Sequence, residues 1–321
     1  MSPFFDRRPA RISVALEDTH LERLLKSLHA TARSATLATA DLCISQIANL
    51  LEGDDTADWS LREHRIRTLA QFLSGTCVTA LWRERAPGSA NAGLLHAAVC
   101  IHAGLHHGER ISSEVVDWCL RSCAARPEDP TPWAFLMDAY RLLTRRKSDV
   151  FFAWSEVTVR DRWNRGAYMS MLAYLSPEEK GSTMAMMEFV DRVKENAPPD
   201  APCASIELRM HVRQFHALKA GGGLNDVMSS HYWRRQSPTS CLDDISDTWP
   251  APGYLRHAQR LDDLNLLAYA LVSAEERGQA AQVFDVLRGR ATLRPWGETE
   301  KASVAAFRQE SARCARSSSR A

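Results

Sequence analysis

No run of apolar residues in this sequence is long enough to cross a bilayer, and neither sign of charge prevails, since the formal net charge is only +1 over 321 residues. The first absence predicts no membrane partner. The second excludes the broad basic stripe with which a nucleic-acid reader displaces counterions from phosphates. The longest local basic cluster, Arg145-Arg146-Lys147, is short enough to be a solvated helix end. Lysine is scarce, standing only at 26, 147, 180, 194, 219 and 301, so the cations are nearly all Arg. With the abundant Ala, that bias suggests a GC-rich bacterial genome rather than a binding function. The opening MSPFFDRRPARISVALEDTH has no apolar signal core, so a cytoplasmic protein is expected. In that compartment the eight Cys are expected to be reduced and to pack as small apolar groups. Also missing are a G-x-S-x-G elbow, a G-x-x-x-x-G-K-[ST] loop and a G-x-G-x-x-G loop, so nucleophilic and nucleotide chemistry lack their usual scaffolds.

What is present is helical periodicity. Alternating apolar and polar runs are nearly absent, whereas Leu21, Leu24, Leu25 and Leu28 recur at the three-and-four spacing of an amphipathic helix. Ile44, Ile47, Leu50 and Leu51 mark a second face, and Ile66, Leu69, Leu73 and Cys77 a third. Turn-forming stretches punctuate the chain at GDDTAD (53–58), APGSAN (86–91), HHGER (106–110), RPEDPTP (126–132), APPDAP (197–202), AGGGLND (220–226) and TWPAPG (248–253). Short turns between helices of this length make antiparallel pairs, so the expected class is all-α. Hydrophobic residues at 45% and charged residues at 25% are ordinary for a globular chain long enough for one elongated domain or two compact ones.

A period of 34 residues is the signature of tetratricopeptide helix pairs. In PWAFLMDAY, Trp133, Leu136 and Tyr140 take the spacing of the first helix of such a repeat, and a step of 34 carries Tyr140 to Tyr174, Met137 to Met171, and Pro130 to Asn164 and then Pro198. A further unit is DLNLLAYALVSAEERGQAAQVFDVL, where Leu264, Leu267, Ala268 and Leu271 face Ala280, Phe284 and Leu287. On these motifs the chain resembles the tetratricopeptide superfamily in degenerate form, best over 127–290 and more weakly over 59–125. RDRWNRGAYMSMLAYL and GSTMAMMEFVDRVKENAPP also resemble uncharacterised actinobacterial helical-repeat proteins. The resemblance implies a right-handed α-solenoid of antiparallel helix pairs. The expected organisation is an N-terminal helical segment (1–58), the solenoid (59–297), a capping helix (298–316) and a disordered tail (317–321).

Such solenoids bind partners along a concave groove, so the expected function is a scaffold for a protein or peptide. First-helix positions that would point into the groove are Asp138, Arg141, Arg165, Tyr168, Asp262, Asn265 and Tyr269, which combine aromatic bodies with charged or amide tips. Of the nine Trp, Trp59, Trp133 and Trp163 stand near helix starts; most of the nine are expected as core anchors between repeats, and the alternative for some is the concave inner surface.

One rival reading is enzymatic. CLDDISD (241–247) places Asp243, Asp244 and Asp247 at the DDxxD spacing of class I terpene synthases, and Asn225 with Ser229 resembles the start of their second magnesium motif. Such a site would hold Mg2+ against a prenyl diphosphate, beside an apolar cavity lined by Tyr232, Trp233 and Trp249. Trp233 stands where the motif's closing Glu belongs, and the order of the two motifs is reversed. The alternative is that Asp243 and Asp244 open a helix, where carboxylates meet free amides. A second constellation is His102, His106 and His107 with Cys100, Cys119 and Cys123, whose i,i+4 pairs offer zinc-type donors or simply fill a helix seam. Gly221-Gly222-Gly223 reads as a connector, or as amides open to an anion.

Overall fold

The computed structural model describes residues 9–31, 37–53 and 58–318. Its regular secondary structure among the described residues is helical, apart from one parallel pair of two-residue strands, and no helix in it is long and apolar enough to cross a membrane. All eight Cys lie among the described residues, and no disulfide joins them. The chain divides into two compact units. One is the continuous stretch 17–185; the other joins the residues up to Leu16 to those from Met186 onward. The division crosses the block expected over 59–297. The tail expected at 317–321 lies, from 319 on, outside the described residues.

The continuous unit holds α1 (Thr19–Thr31), α2 (Leu37–Glu52), α3 (Trp59–Leu73), α4 (Val78–Arg85), α5 (Ala90–His107), α6 (Glu114–Ala125), α7 (Thr131–Leu142), α8 (Lys147–Arg160) and α9 (Arg165–Tyr174). Local chemistry sets these boundaries. Asp58 caps α3 by accepting from the Leu61 amide, Ser89 caps α5 through Ala92, and Asn164 caps α9 through Ala167. Gly108 ends α5 at φ 69°, a left-handed conformation that costs glycine nothing. The 34-residue step carries the N-cap Pro130 of α7 onto the N-cap Asn164 of α9. Its next step fails, because Pro198 caps no helix. Cys77 is exposed and precedes α4, so it does not continue the apolar face of α3.

Consecutive helices pack together from α5 to α9, and α3, α5, α7 and α9 also touch in series. Their seam is held by buried charge as well as by apolar packing. Arg62 of α3 donates to Asp129 (2.7 Å), to Asn91 of α5 (2.7 Å) and to the Leu51 carbonyl (3.3 Å). One residue on, Glu63 accepts from Arg67 (2.7 Å), which also reaches Asp138 of α7 (3.1 Å). Gly166 lies so close to the Glu63 carboxylate that a Cβ there would collide with it.

The second unit holds β1 (Arg11–Ile12), most of α10 (Thr183–Asn196), α11 (Ile206–Gly221), α12 (Leu224–Ser230), a 3-10 turn (Tyr232–Arg234), α13 (Gln236–Ile245), α14 (Arg260–Ser273), α15 (Arg277–Leu287), β2 (Arg290–Ala291) and α16 (Glu300–Ser318). Its core gathers Leu264, Leu267, Ala268 and Leu271 of α14 with Ala280, Phe284 and Leu287 of α15, the facing pattern expected from the sequence. α16 packs on α15 and on the strand pair. β1 pairs in parallel with β2, Arg11 opposite Arg290 and Ile12 opposite Ala291.

The tryptophans divide unevenly. In the second unit Trp233, Trp249 and Trp296 are all buried, whereas in the continuous unit only Trp82 is. Trp59, Trp118, Trp133, Trp154 and Trp163 are half-buried, so four of the nine, and not most, are enclosed in the core.

Candidate functional site

Of the groove positions expected on first helices, Asp138, Tyr168 and Asn265 are buried, whereas Arg141, Arg165, Asp262 and Tyr269 are half-buried. Asp138, only 2% exposed, receives Arg67, Arg141 (2.6 Å) and the Ser170 hydroxyl. Burial opposes its charge, yet the two guanidiniums and the hydroxyl hold its pKa below the usual carboxylate range. Arg141 turns onward to Glu179 (2.5 Å). Tyr168 is buried against Trp154 and Trp163, with ring centroids 4.7 and 5.9 Å away. Arg165 is half-buried at the start of α9.

In the second unit Asn265 is fully buried. Its side-chain oxygen accepts from the Trp296 indole (2.8 Å) and the Thr292 amide (3.2 Å), and its amide donates to the carbonyls of Leu261 and Arg290. Asp262 pairs with Arg209, and the Tyr269 hydroxyl with His216 Nε2 (2.8 Å). Asn265, Asp138 and Tyr168 therefore stabilise the fold and do not present their polar tips to solvent.

The acidic motif falls elsewhere than the helix-start reading placed it. α13 begins at Gln236, with Pro238 in its first turn, and Asp243 and Asp244 are exposed in its last turn. Asp247 is exposed just beyond. The aromatic residues that a diphosphate site would need as cavity walls are packed in the core: Trp249 is 1% exposed, Tyr232 2% and Trp233 5%. Ser229 is buried and Asn225 half-buried on α12. Gly221 closes α11, while Gly222 and Gly223, at φ 62° and 58°, make the turn into α12.

The Cys and His residues of α5 and α6 do not assemble a metal-type cluster. The His102 ring stacks within its own helix end on His106 (4.5 Å) and His107 (5.7 Å), and Cys119 and Cys123 are buried with their thiol pKa values pushed up by desolvation.

Among the described residues, one set of three metal-ligand side chains does converge, and sequence reasoning missed it: Glu207, His211 and Cys241, with donor atoms all within 4.8 Å of one another. Glu207 and His211 lie four apart on α11, which puts them on one helix face, and α13 brings Cys241 against them. Glu207 Oε1 accepts from Lys194 Nζ (2.7 Å) and stands 3.9 Å from His211 Nε2. The Cys241 sulfur lies within 4.8 Å of the same carboxylate. Burial first, then Glu207, pushes the thiol pKa up.

A hydrogen-bond chain fixes the imidazole. The Tyr232 hydroxyl donates to Gln214 Oε1 (2.7 Å), so its oxygen is left to accept from His211 Nδ1 (2.9 Å). The proton of the neutral ring is thereby held on Nδ1. Nε2 keeps its lone pair, facing Glu207 and, at 3.4 Å, the Ser237 hydroxyl. Burial, with a smaller effect of Lys194, lowers the His211 pKa to about 4.

No family model matches the chain, and no curated protein matches it.

Proposed function

We propose that the chain is a helical-repeat scaffold that binds a protein or peptide partner, and that its continuous unit is a right-handed, tetratricopeptide-like α-solenoid of antiparallel helix pairs. The serial packing of α3, α5, α7 and α9, and the 34-residue step between the caps of α7 and α9, support the repeat reading. What carries the binding reading is an aromatic surface on α8. Phe152 is 54% exposed and Val159 82%, one helix face holding both, and Phe151 is exposed beside them. Beside them stands half-buried Trp133, edge-on to Phe152 at 5.8 Å. Large apolar side chains left in water together mark an interaction surface, and Trp and Phe are the residue types that dominate binding energy there. This reading puts the partner surface on α8 and its neighbours, and not on the buried first-helix positions Asp138, Tyr168 and Asn265.

The test is capture under gentle cross-linking from cells of the source organism, with the parent and a Phe152→Asp, Val159→Asp variant side by side. Both positions are solvent-facing, so the variant is expected to keep its circular dichroism and melting midpoint. The parent should enrich a defined partner that the variant loses. Equal enrichment by both, or no partner above background in several growth conditions, would overturn the proposal.

A further inference from the structure

We propose that Glu207, His211 and Cys241 form a binding site for one zinc-class divalent cation, held between α11 and α13. The donor set mixes carboxylate oxygen, imidazole nitrogen and thiolate sulfur, the combination that borderline-soft metals prefer over magnesium or calcium. Bond lengths of about 2.0–2.3 Å place tetrahedral ligand atoms about 3.5 Å apart, so donors already within 4.8 Å need only a small inward adjustment. Two of the three ride one turn apart on a single helix, which fixes their spacing before any metal arrives.

The surroundings suit a cation in three further respects. The Tyr232–Gln214 chain holds the His211 proton on Nδ1 and turns the Nε2 lone pair to the cluster, the orientation that a ligating histidine requires. Glu207 has two oxygens and about four lone-pair sites, so it can ligate while still accepting from Lys194. Charge also balances. A dication with Glu207 and a Cys241 thiolate is neutral, and Lys194 stays on the carboxylate that it already meets. Binding exchanges the Cys241 thiol proton for the metal, and that proton leaves to solvent. Three protein donors leave one tetrahedral position beside Ser237, for water. The competing account is a metal-free cluster in which Lys194 and Cys241 both simply donate to Glu207.

Cobalt(II) distinguishes the two, because a thiolate ligand gives it a near-ultraviolet charge-transfer band. The full chain, stripped with a chelator, is titrated with cobalt and then with zinc. We expect one equivalent bound, a charge-transfer band that zinc erases, and a higher melting midpoint with either metal. Cys241→Ser should abolish the band, Glu207→Gln should weaken binding by at least about tenfold, and Cys123→Ser, a buried thiol in the other unit, should leave both unchanged. Should Cys241→Ser fail to fold, His211→Asn provides the same reading, since losing a nitrogen ligand must lower cobalt affinity. No band in the parent at saturating cobalt would overturn the site. So would a band that survives Cys241→Ser, that is lost in Cys123→Ser, or that titrates in His211→Asn as it does in the parent.

Discussion

The ring of Phe284 lies 5.0 Å from Phe307 and 5.7 Å from Trp296, so α15, α16 and the segment between them all meet on one side chain. Truncation to Ala removes the shared ring and leaves a cavity that three elements would have to close together. Phe284→Ala is expected to cost about 3–5 kcal/mol, read as lower thermal and denaturant midpoints. Unchanged midpoints would show that these elements do not depend on the contact. Phe284 was legible in the sequence because apolar spacing alone places it opposite Leu264 and Leu267. Arg62 and Glu63 were not, since a charged residue is assigned to solvent until its partner is known, and Asp129 stands 67 positions away. Cys241 was hidden for a related reason. Glu207 and His211 announce a shared helix face by their spacing, but the third member arrives only when α13 packs on α11.

Among the elements, α5 has an end whose chemistry depends on pH. A histidine in the last turns of a helix is favoured as a cation by the helix dipole, but His102 is pressed against neighbours. Desolvation first, then His106 and His107, lowers its pKa from 6.5 to about 4. Its contribution therefore has a definite sign. Above pH 6.5 neither the folded nor the unfolded chain holds the proton, and stability does not respond. As pH falls from 6.5 towards 4 the unfolded chain takes up a proton that the folded chain refuses, so stability declines; below about 4 the decline from this group ends. Because His102 is only half-buried, the slope should be shallower than the full linkage limit of about 1.4 kcal/mol per pH unit. Denaturant midpoints at pH 7, 6 and 5 should fall for the parent and fall less for His102→Asn; parallel curves would refute the assignment. Helix limits were readable wherever a cap was chemically explicit, as at Ser89, Asn164 and Gly108. The start of α13 was not legible at the paired aspartates, which fall in its last turn; Pro238 marks its first turn.

For the whole molecule, the all-helical class followed from periodicity, while the division into units did not, because residues 11 and 12 offer too short a stretch to read as a strand. Their pairing with residues 290 and 291 makes one unit from two separate stretches of chain, with 17–185 running between them. The continuous stretch 17–185, produced alone, is expected to keep a helical circular dichroism spectrum and a cooperative melt. Residues 186–321 alone should melt at a lower temperature than the same fragment mixed with a peptide of residues 9–16. A peptide without effect would show that the strand pair adds nothing to that unit. The pairing also orders events in time. On the ribosome, Arg11 emerges about 280 residues ahead of Arg290, an interval on the order of tens of seconds at ordinary rates of elongation. Throughout it the leading segment has no strand to join among the described residues, while the helices of 17–185 emerge in sequence. The nascent protein thus completes its middle before it can close its beginning, and a pause or truncation late in synthesis would leave that first strand exposed to any other unpaired edge it meets.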